Sequence, residues 1–321
     1  FFATTVNYID RNVLSFTMID EGFRRTMLGL PDGTVLTQAH LDLFKERMGY
    51  VDAAFKTAYA LGFLLVGWFI DRVGTRKGFS RALVVWSLAG IATAFVSSVR
   101  GLAACRFVLG IGEAGNFPSS VKSVAEWFPK KERAFATGIF NAGSNVGIII
   151  TALAVPVVTM AYGWRAAFII TGLLGFVVLW LWLRYYRTPQ EHPSVTPAEL
   201  AYIRSDSEET NQDLKPISWR KLLTYRQTWA VAVCRFLADP IWYFYLTWLP
   251  DFFNSGESLD QKLDLKSIGI PFLIIYLVSD AGSIFFGWLS SRLIARGWEI
   301  GKARKFTLLL CALSVVPIFF A

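Results

Sequence analysis

Long apolar runs alternate with short polar connections along the whole chain. The runs cover residues 1–19, 53–70, 82–99, 102–128, 134–160, 166–183, 229–253, 268–289 and 306–321. Each is near the roughly 17–25 residues that a helix needs to cross a bilayer. Most lack the polar face of a soluble amphipathic helix. The pattern predicts an all-α polytopic membrane protein with nine spans, the first and last cut by the ends of the chain.

A long polar stretch follows the sixth run. It holds Pro189, Pro193, Pro197 and Pro216 and an acidic group, Asp206, Glu208 and Glu209. It reads as a cytoplasmic linker with one short surface helix near Thr196 and Pro197, where a capping residue precedes a first-turn proline. The expected organisation is a six-helix half over 1–187, a linker over 188–227, and the first three helices of a second half over 228–321. A weak echo supports two halves. Gly67-Trp68-Phe69-Ile70-Asp71-Arg72 closes the second run, and Gly287-Trp288-Leu289-Ser290-Ser291-Arg292 closes the eighth. Many secondary transporters are built from such repeats. By this count three C-terminal helices are missing from the chain.

Composition and charge sharpen the picture. Hydrophobic residues make up 54% and charged residues 17%, against about 45–50% and about 25% in soluble domains. The net charge of +8 is unevenly spread. Arg72, Arg76, Lys77 and Arg81 follow the second run, Lys130, Lys131 and Arg133 the fourth, and Arg184 and Arg187 the sixth. The connections over 20–51 and 251–266 carry more acid. The positive-inside rule makes the basic connections cytoplasmic. The charge is therefore a topology signal, and no nucleic-acid partner is expected. Cys105, Cys234 and Cys311 are odd in number and lie in apolar runs, which argues against a disulfide framework or a zinc site. With no Ser/His/Asp set and no phosphate loop, neither an enzyme nor a metal or other cofactor is expected.

Four charges inside the runs carry the chemistry: Asp10, Arg11, Arg106 and Glu113. A charge at bilayer depth is costly unless paired or wetted, and by default marks a substrate or proton path. At 1.5 Å per residue, Asp10 lies about 15 Å from the outer end of its helix, and Glu113 roughly 18 Å deep on its own. Arg106, Gly110 and Glu113 share one helix face. The guanidinium forks of Arg11 and Arg106 suit a carboxylate. The alternative is structural pairing, Arg11 with Glu113 or Arg106 with Asp10, and the two arrangements can alternate. Asp10 and Glu113 are the candidate proton carriers. Tyr8 and Tyr59 suit substrate hydroxyls or a carboxylate, or interfacial packing. Lys56 suits a substrate anion, or a gate with Asp52. Ser144 and Asn145 suit substrate contact or helix packing, and Trp242 suits stacking on a substrate. Gly138, Gly143 and Gly147 suit close helix packing.

The segment Gly67 to Lys77 resembles the loop signature G-x-x-x-D-R-x-G-x-R-K of the major facilitator superfamily. The resemblance implies a fold of two six-helix halves and a gating role for Gly67, Asp71, Arg72, Gly74, Arg76 and Lys77. Gly67 is expected to permit close helix approach. Asp71 is expected to accept from helix N-terminal amides or arginines and to latch the two halves. Gly74 is expected to allow a tight turn. Asn7-Tyr8-Ile9-Asp10-Arg11, Arg106 to Glu113 and Gly115-Asn116-Phe117-Pro118 resemble the anion:cation symporter family. Lys56 to Gly62 and Asp239 to Tyr243 point to its hexuronate group. This implies proton-coupled uptake of a sugar acid, a hexuronate such as glucuronate or galacturonate, by a monomer in a bacterial inner membrane. The partners implied are a small organic anion, protons and membrane lipid. The rival readings are a proton or sodium symporter of an aldonate, aldarate or aromatic carboxylate, and a non-transporting sensor on the same fold.

Overall fold

The structure, a computed structural model, describes residues 1–205, 221, 223–255 and 269–315. The acidic group and Pro216 of the linker, and residues 256–268 of the connection after the seventh run, lie outside the described residues. Among the described residues all regular structure is helical. The chain forms two compact units, Phe1–Gly269 and Ile270–Ala321.

The first unit is built round α1 (Phe2–Thr17), which is buried along most of its length. The short α2 (Glu21–Leu28) follows, capped by the Asp20 carboxylate on the Phe23 amide at 2.7 Å. Then come α3 (Gln38–Val73), α4 (Thr75–Thr93), α5 (Val99–Glu113), α6 (Asn116–Trp127), α7 (Lys130–Tyr162) and α8 (Trp164–Tyr185). The expected surface helix is α9 (Pro197–Ile203), with Thr196 capping Glu199. The seventh run forms α10 (Arg226–Ser255). The second unit holds α11 (Gly269–Ala295), which begins at the division between the units, and α12 (Ile300–Val315). α1 packs against α7, α8, α6 and α10, while α3 pairs with α5 and α4 with α5 and α8.

Two features depart from the expected spans. The fourth run is two helices, α5 and α6, broken at Ala114 and Gly115. Pro118 explains the break, because it offers no N–H to the Ala114 carbonyl four residues earlier and its ring crowds that position. The connection over 20–51 holds α2 and the first turns of α3, whose 36 residues make it about 54 Å long. Three helices are long and apolar enough to cross a membrane, Gln38–Val73, Ala136–Tyr162 and Trp164–Tyr185, among the described residues. α1 is short at 16 residues, basic residues open α4, and the break shortens α5 and α6.

Glycine brings the helices close. A side chain on Gly110 would meet the Phe55 carbonyl of α3 at 2.6 Å, and one on Gly112 the Trp86 amide of α4 at 2.7 Å. Trp86, Leu83, Phe79, Leu109 and Phe55 form the apolar core there. Large side chains such as Leu64, Leu65, Val177 and Trp180 face outward, as lipid-contacting positions do. Gly74 turns the chain between α3 and α4 at a φ of 87°, where a Cβ would be strained. Gly143 and Gly147 pack against the start of α1, whereas Gly138 and Gly67 face open space. Among the described residues, none comes within 4 Å of a Cβ placed on Gly67.

Candidate functional site

Arg11 is the centre of the site. Its Nε donates to Glu113 Oε2 at 3.0 Å, joining α1 to α5, and its Nη2 reaches Asn7 Oδ1 at 3.5 Å. Three rings surround the guanidinium: Tyr59 at 4.6 Å, Tyr8 at 5.0 Å and Phe55 at 5.6 Å. Glu113 is fully buried. Of the two pairings the sequence left open, Arg11 with Glu113 is the one formed. Arg11 Nη1 makes no hydrogen bond to a described residue, so the guanidinium keeps a donor in reserve, while the Asn7 amide lies beside the Glu113 carboxylate.

Arg106 and Asp10 do not pair through their charged groups. Arg106 Nη1 reaches the Asp10 backbone carbonyl at 3.4 Å, and its guanidinium lies over Phe168 at 5.6 Å. The Asp10 carboxylate turns instead to Trp86, whose indole N–H donates to Oδ2 at 2.6 Å. Geometry explains this. Asp10 and Arg11 are consecutive on α1 and so point to different sides, Arg11 toward α3 and α5, Asp10 toward α4. A buried indole N–H needs an acceptor, a signal that Trp86 in the third run carried and that the sequence reading did not use.

Beside Arg11 lies a cavity of about 930 Å³ between α1, α3, α6 and α10. Tyr8, Lys56 and Tyr59 line it, with Tyr243, Trp248, Asp239 and Arg235 from α10. Arg235 and Asp239 form an exposed ion pair at 3.2 Å, and sequence reasoning assigned Arg235 no role. A cleft of about 30 Å³ adjoins the cavity, lined by Arg11, Arg106, Lys56, Asp52 and Tyr243. It has room for a water or two, and three cations converge on it. Lys56 is held by Asp52 at 2.6 Å and sits over Tyr243 at 5.7 Å, which is the pairing expected of a gate.

Other expected site residues lie elsewhere. Ser144 spends its hydroxyl on the Asn141 carbonyl at 2.6 Å, and neither it nor Asn145 lines the cavity. Trp242 lies on α10, but its side chain falls outside the described residues. The segment Gly67 to Lys77 sits at the end of the bundle that carries Arg72, Arg76, Lys77 and Arg184, the basic end. There Asp71 accepts from Lys122 of α6 at 2.9 Å, not from amides or arginines. Arg72 covers Trp68 at 4.1 Å, and Arg76 donates to the Leu183 carbonyl at 2.7 Å. Lys77 is exposed. At the opposite end, Arg24 and Lys45 both reach the buried Asp251 of α10.

Comparison with known proteins gives the family of the chain. The family described as Major Facilitator Superfamily matches residues 1–321. A galacturonate transporter of Dickeya chrysanthemi is 32% identical over 84% of this chain and 82% of its own length. A hexuronate transporter of Escherichia coli (strain K12) is 34% identical over 78% of this chain and 57% of its own. A bacterial homolog of the human lysosomal transporter Spinster, solved in an inward-facing and occupied conformation, superposes with a TM-score of 0.64 at 19% identity, covering 92% of this chain and 60% of that one. The chain thus spans less than two thirds of the hexuronate transporter and of the solved structure.

Proposed function

Because the chain belongs to the Major Facilitator Superfamily and is an integral, multi-pass membrane protein, we propose that it takes up a sugar acid, a hexuronate, together with a proton across a bacterial inner membrane. The observation that carries the reading is Arg11, placed between the fully buried Glu113 and the aromatic wall of the cavity. A substrate carboxylate entering the cleft meets Arg11, Arg106 and Lys56. Arg11 forms bidentate bonds to a carboxylate and so loosens its hold on Glu113. A buried carboxylate that loses its counter-charge takes up a proton. Anion and proton then travel together, because each makes room for the other. Tyr8, Tyr59 and Tyr243 offer hydroxyls and ring faces to the sugar.

The basic end is cytoplasmic in this reading, and Asp251 lies toward the outside. Arg235 and Asp239 stand at the inner part of the cavity. The sugar acids carried by the relatives support the substrate class. Gating of the two ends in turn provides alternating access.

Counterflow of labelled glucuronate and galacturonate in proteoliposomes tests the reading, alongside an aldonate, an aldarate and an aromatic acid. The expected outcome is exchange of a hexuronate and its accumulation under an inward proton gradient. Exchange of the aromatic acid alone, or accumulation driven by sodium with no response to pH, would overturn it.

A further inference from the structure

A line of buried polar side chains runs from Glu113 toward the basic end, away from the substrate cavity. Thr4 Oγ1, Asn116 Nδ2 and Oδ1, and Ser119 Oγ have no hydrogen-bond partner among the described residues, and Glu113 Oε1 and Asn7 Nδ2 meet none beyond the facing of the Asn7 amide and the Glu113 carboxylate. Asn7, Glu113, Asn116 and Ser119 are 0% exposed and Thr4 is 1% exposed. Their order follows from the fold. The contact of Arg11 with both Asn7 and Glu113 sets these three side by side. α1 packs against α6, and the chain runs in opposite directions along α1 and along α5 and α6. Thr4 is three residues from Asn7 toward the basic end. Asn116 is three residues from Glu113 in the same sense, and Ser119 three further. The file from Glu113 to Ser119 is therefore about 9 Å long.

Ala3 and Ser120, the sequence neighbours of Thr4 and Ser119, line a second cavity of about 640 Å³ together with Ser123, Trp127 and Tyr186 among others. None of these residues lines the substrate cavity. Glu126, two helical turns beyond Ser119 on α6, accepts from Thr75 at 2.6 Å and from Tyr186, which lines that cavity.

We propose that Thr4, Asn7, Asn116 and Ser119 anchor a file of water molecules that carries the proton between Glu113 and the cytoplasmic vestibule at Ser123 and Glu126, by a route separate from the substrate's. A buried donor or acceptor left unmet costs free energy, and ordered water is the usual remedy. These side chains alternate donors and acceptors and carry no charge, so they hold water without trapping the proton. Asn116 stands one helical turn beyond Glu113 and Ser119 one turn beyond that, a spacing that keeps the three near one face. In each hop one O–H bond forms as the next breaks, and the proton that leaves Glu113 emerges at the vestibule. The file rests on the proton-coupled reading above.

The test uses full-length protein in proteoliposomes and the sugar acid that the wild type exchanges best. Counterflow at equal pH measures substrate exchange, and a lumenal pH dye measures substrate-driven proton movement. Asn116→Leu should slow proton movement about tenfold with counterflow within about twofold. Asn116→Ser, which keeps a hydroxyl and leaves room for water, should restore it. Ser119→Ala removes one oxygen from the file and carries the test should the leucine variant fold poorly. Wild-type proton movement in Asn116→Leu or Ser119→Ala overturns the file while leaving proton coupling intact. Equal loss of both activities in the leucine and serine variants assigns Asn116 a packing role and also overturns it. A wild type that exchanges substrate but moves no proton refutes the coupled reading itself, and the file with it.

Discussion

Arg24 of α2 donates to Asp251 of α10 at 3.1 Å, across 227 positions of sequence. The two side chains are 10% and 6% exposed, and Lys45 reaches the other Asp251 oxygen at 3.4 Å. One carboxylate thus ties α2 and α3 to α10 at the end opposite the basic loop. Asp251→Asn leaves two cations facing a neutral amide. Removing one member of a buried pair costs about 3–5 kcal/mol, and that loss falls on the arrangement in which α10 meets α2 and α3. A cysteine placed at Thr247, whose hydroxyl lies 3.4 Å from Asp52, should then label faster with an impermeant thiol reagent applied from outside. Unchanged labelling in a folded Asp251→Asn protein would show that the contact does not hold this end shut.

Glu113→Gln should abolish proton-driven accumulation while counterflow persists. Glutamine keeps the shape and accepts the Arg11 hydrogen bond but carries no titrating proton. The neutral side chain also frees the Arg11 guanidinium for substrate, so affinity in exchange should hold or rise by up to about tenfold. Accumulation and exchange lost together, in protein that elutes as a monodisperse species, would place Glu113 in structure and not in coupling.

How much of this was legible beforehand varies by residue. Arg11 and Glu113 stood out because buried charge is costly and therefore rare, and the structure pairs them. The motif at Gly74 was legible because a turn between two helices needs positive φ. Trp86 as the partner of Asp10 was not, since contacts between distant helices depend on packing and not on spacing. Asp71 with Lys122 was hidden for the same reason. The split of the fourth run was legible in principle: Pro118 inside an apolar stretch removes a hydrogen bond four residues earlier, but hydropathy alone reads straight through it. Ser144 suited substrate contact or helix packing by residue type, but a serine inside a helix can also bond back one turn, and its hydroxyl donates to the Asn141 carbonyl.

Arg11→Lys should fail to restore transport. A lysine retains charge but reaches Glu113 or the substrate with one compact ammonium, and cannot form two parallel bonds to a carboxylate. It also forfeits the planar stacking that Tyr8, Phe55 and Tyr59 offer the guanidinium. Affinity for the sugar acid, measured by isothermal titration or thermal shift, should fall at least about tenfold. Near wild-type affinity in the lysine variant would reduce Arg11 to a counter-charge for Glu113.

Asp71→Asn should slow uptake while leaving substrate affinity nearly unchanged, and Lys122→Ala should do the same. Asp71 lies twelve residues from Tyr59 on α3, about 18 Å along the axis, too far to touch an anion held at Arg11. Its partner Lys122 belongs to α6, so the contact braces two helices of the same half near the basic end. The Asp71 side chain is 74% exposed, and exposed pairs contribute only about 0.2–1 kcal/mol. That is too little to unfold the protein. It suffices to move a balance between two conformations about fivefold, if the brace exists in only one of them. Uptake should therefore fall by up to about fivefold, with affinity within about twofold. The double variant should lose no more than either single one, because both remove the same interaction. Additive losses would mean that Asp71 and Lys122 act through different partners, and a large fall in affinity would mean that the change reaches the substrate cavity itself.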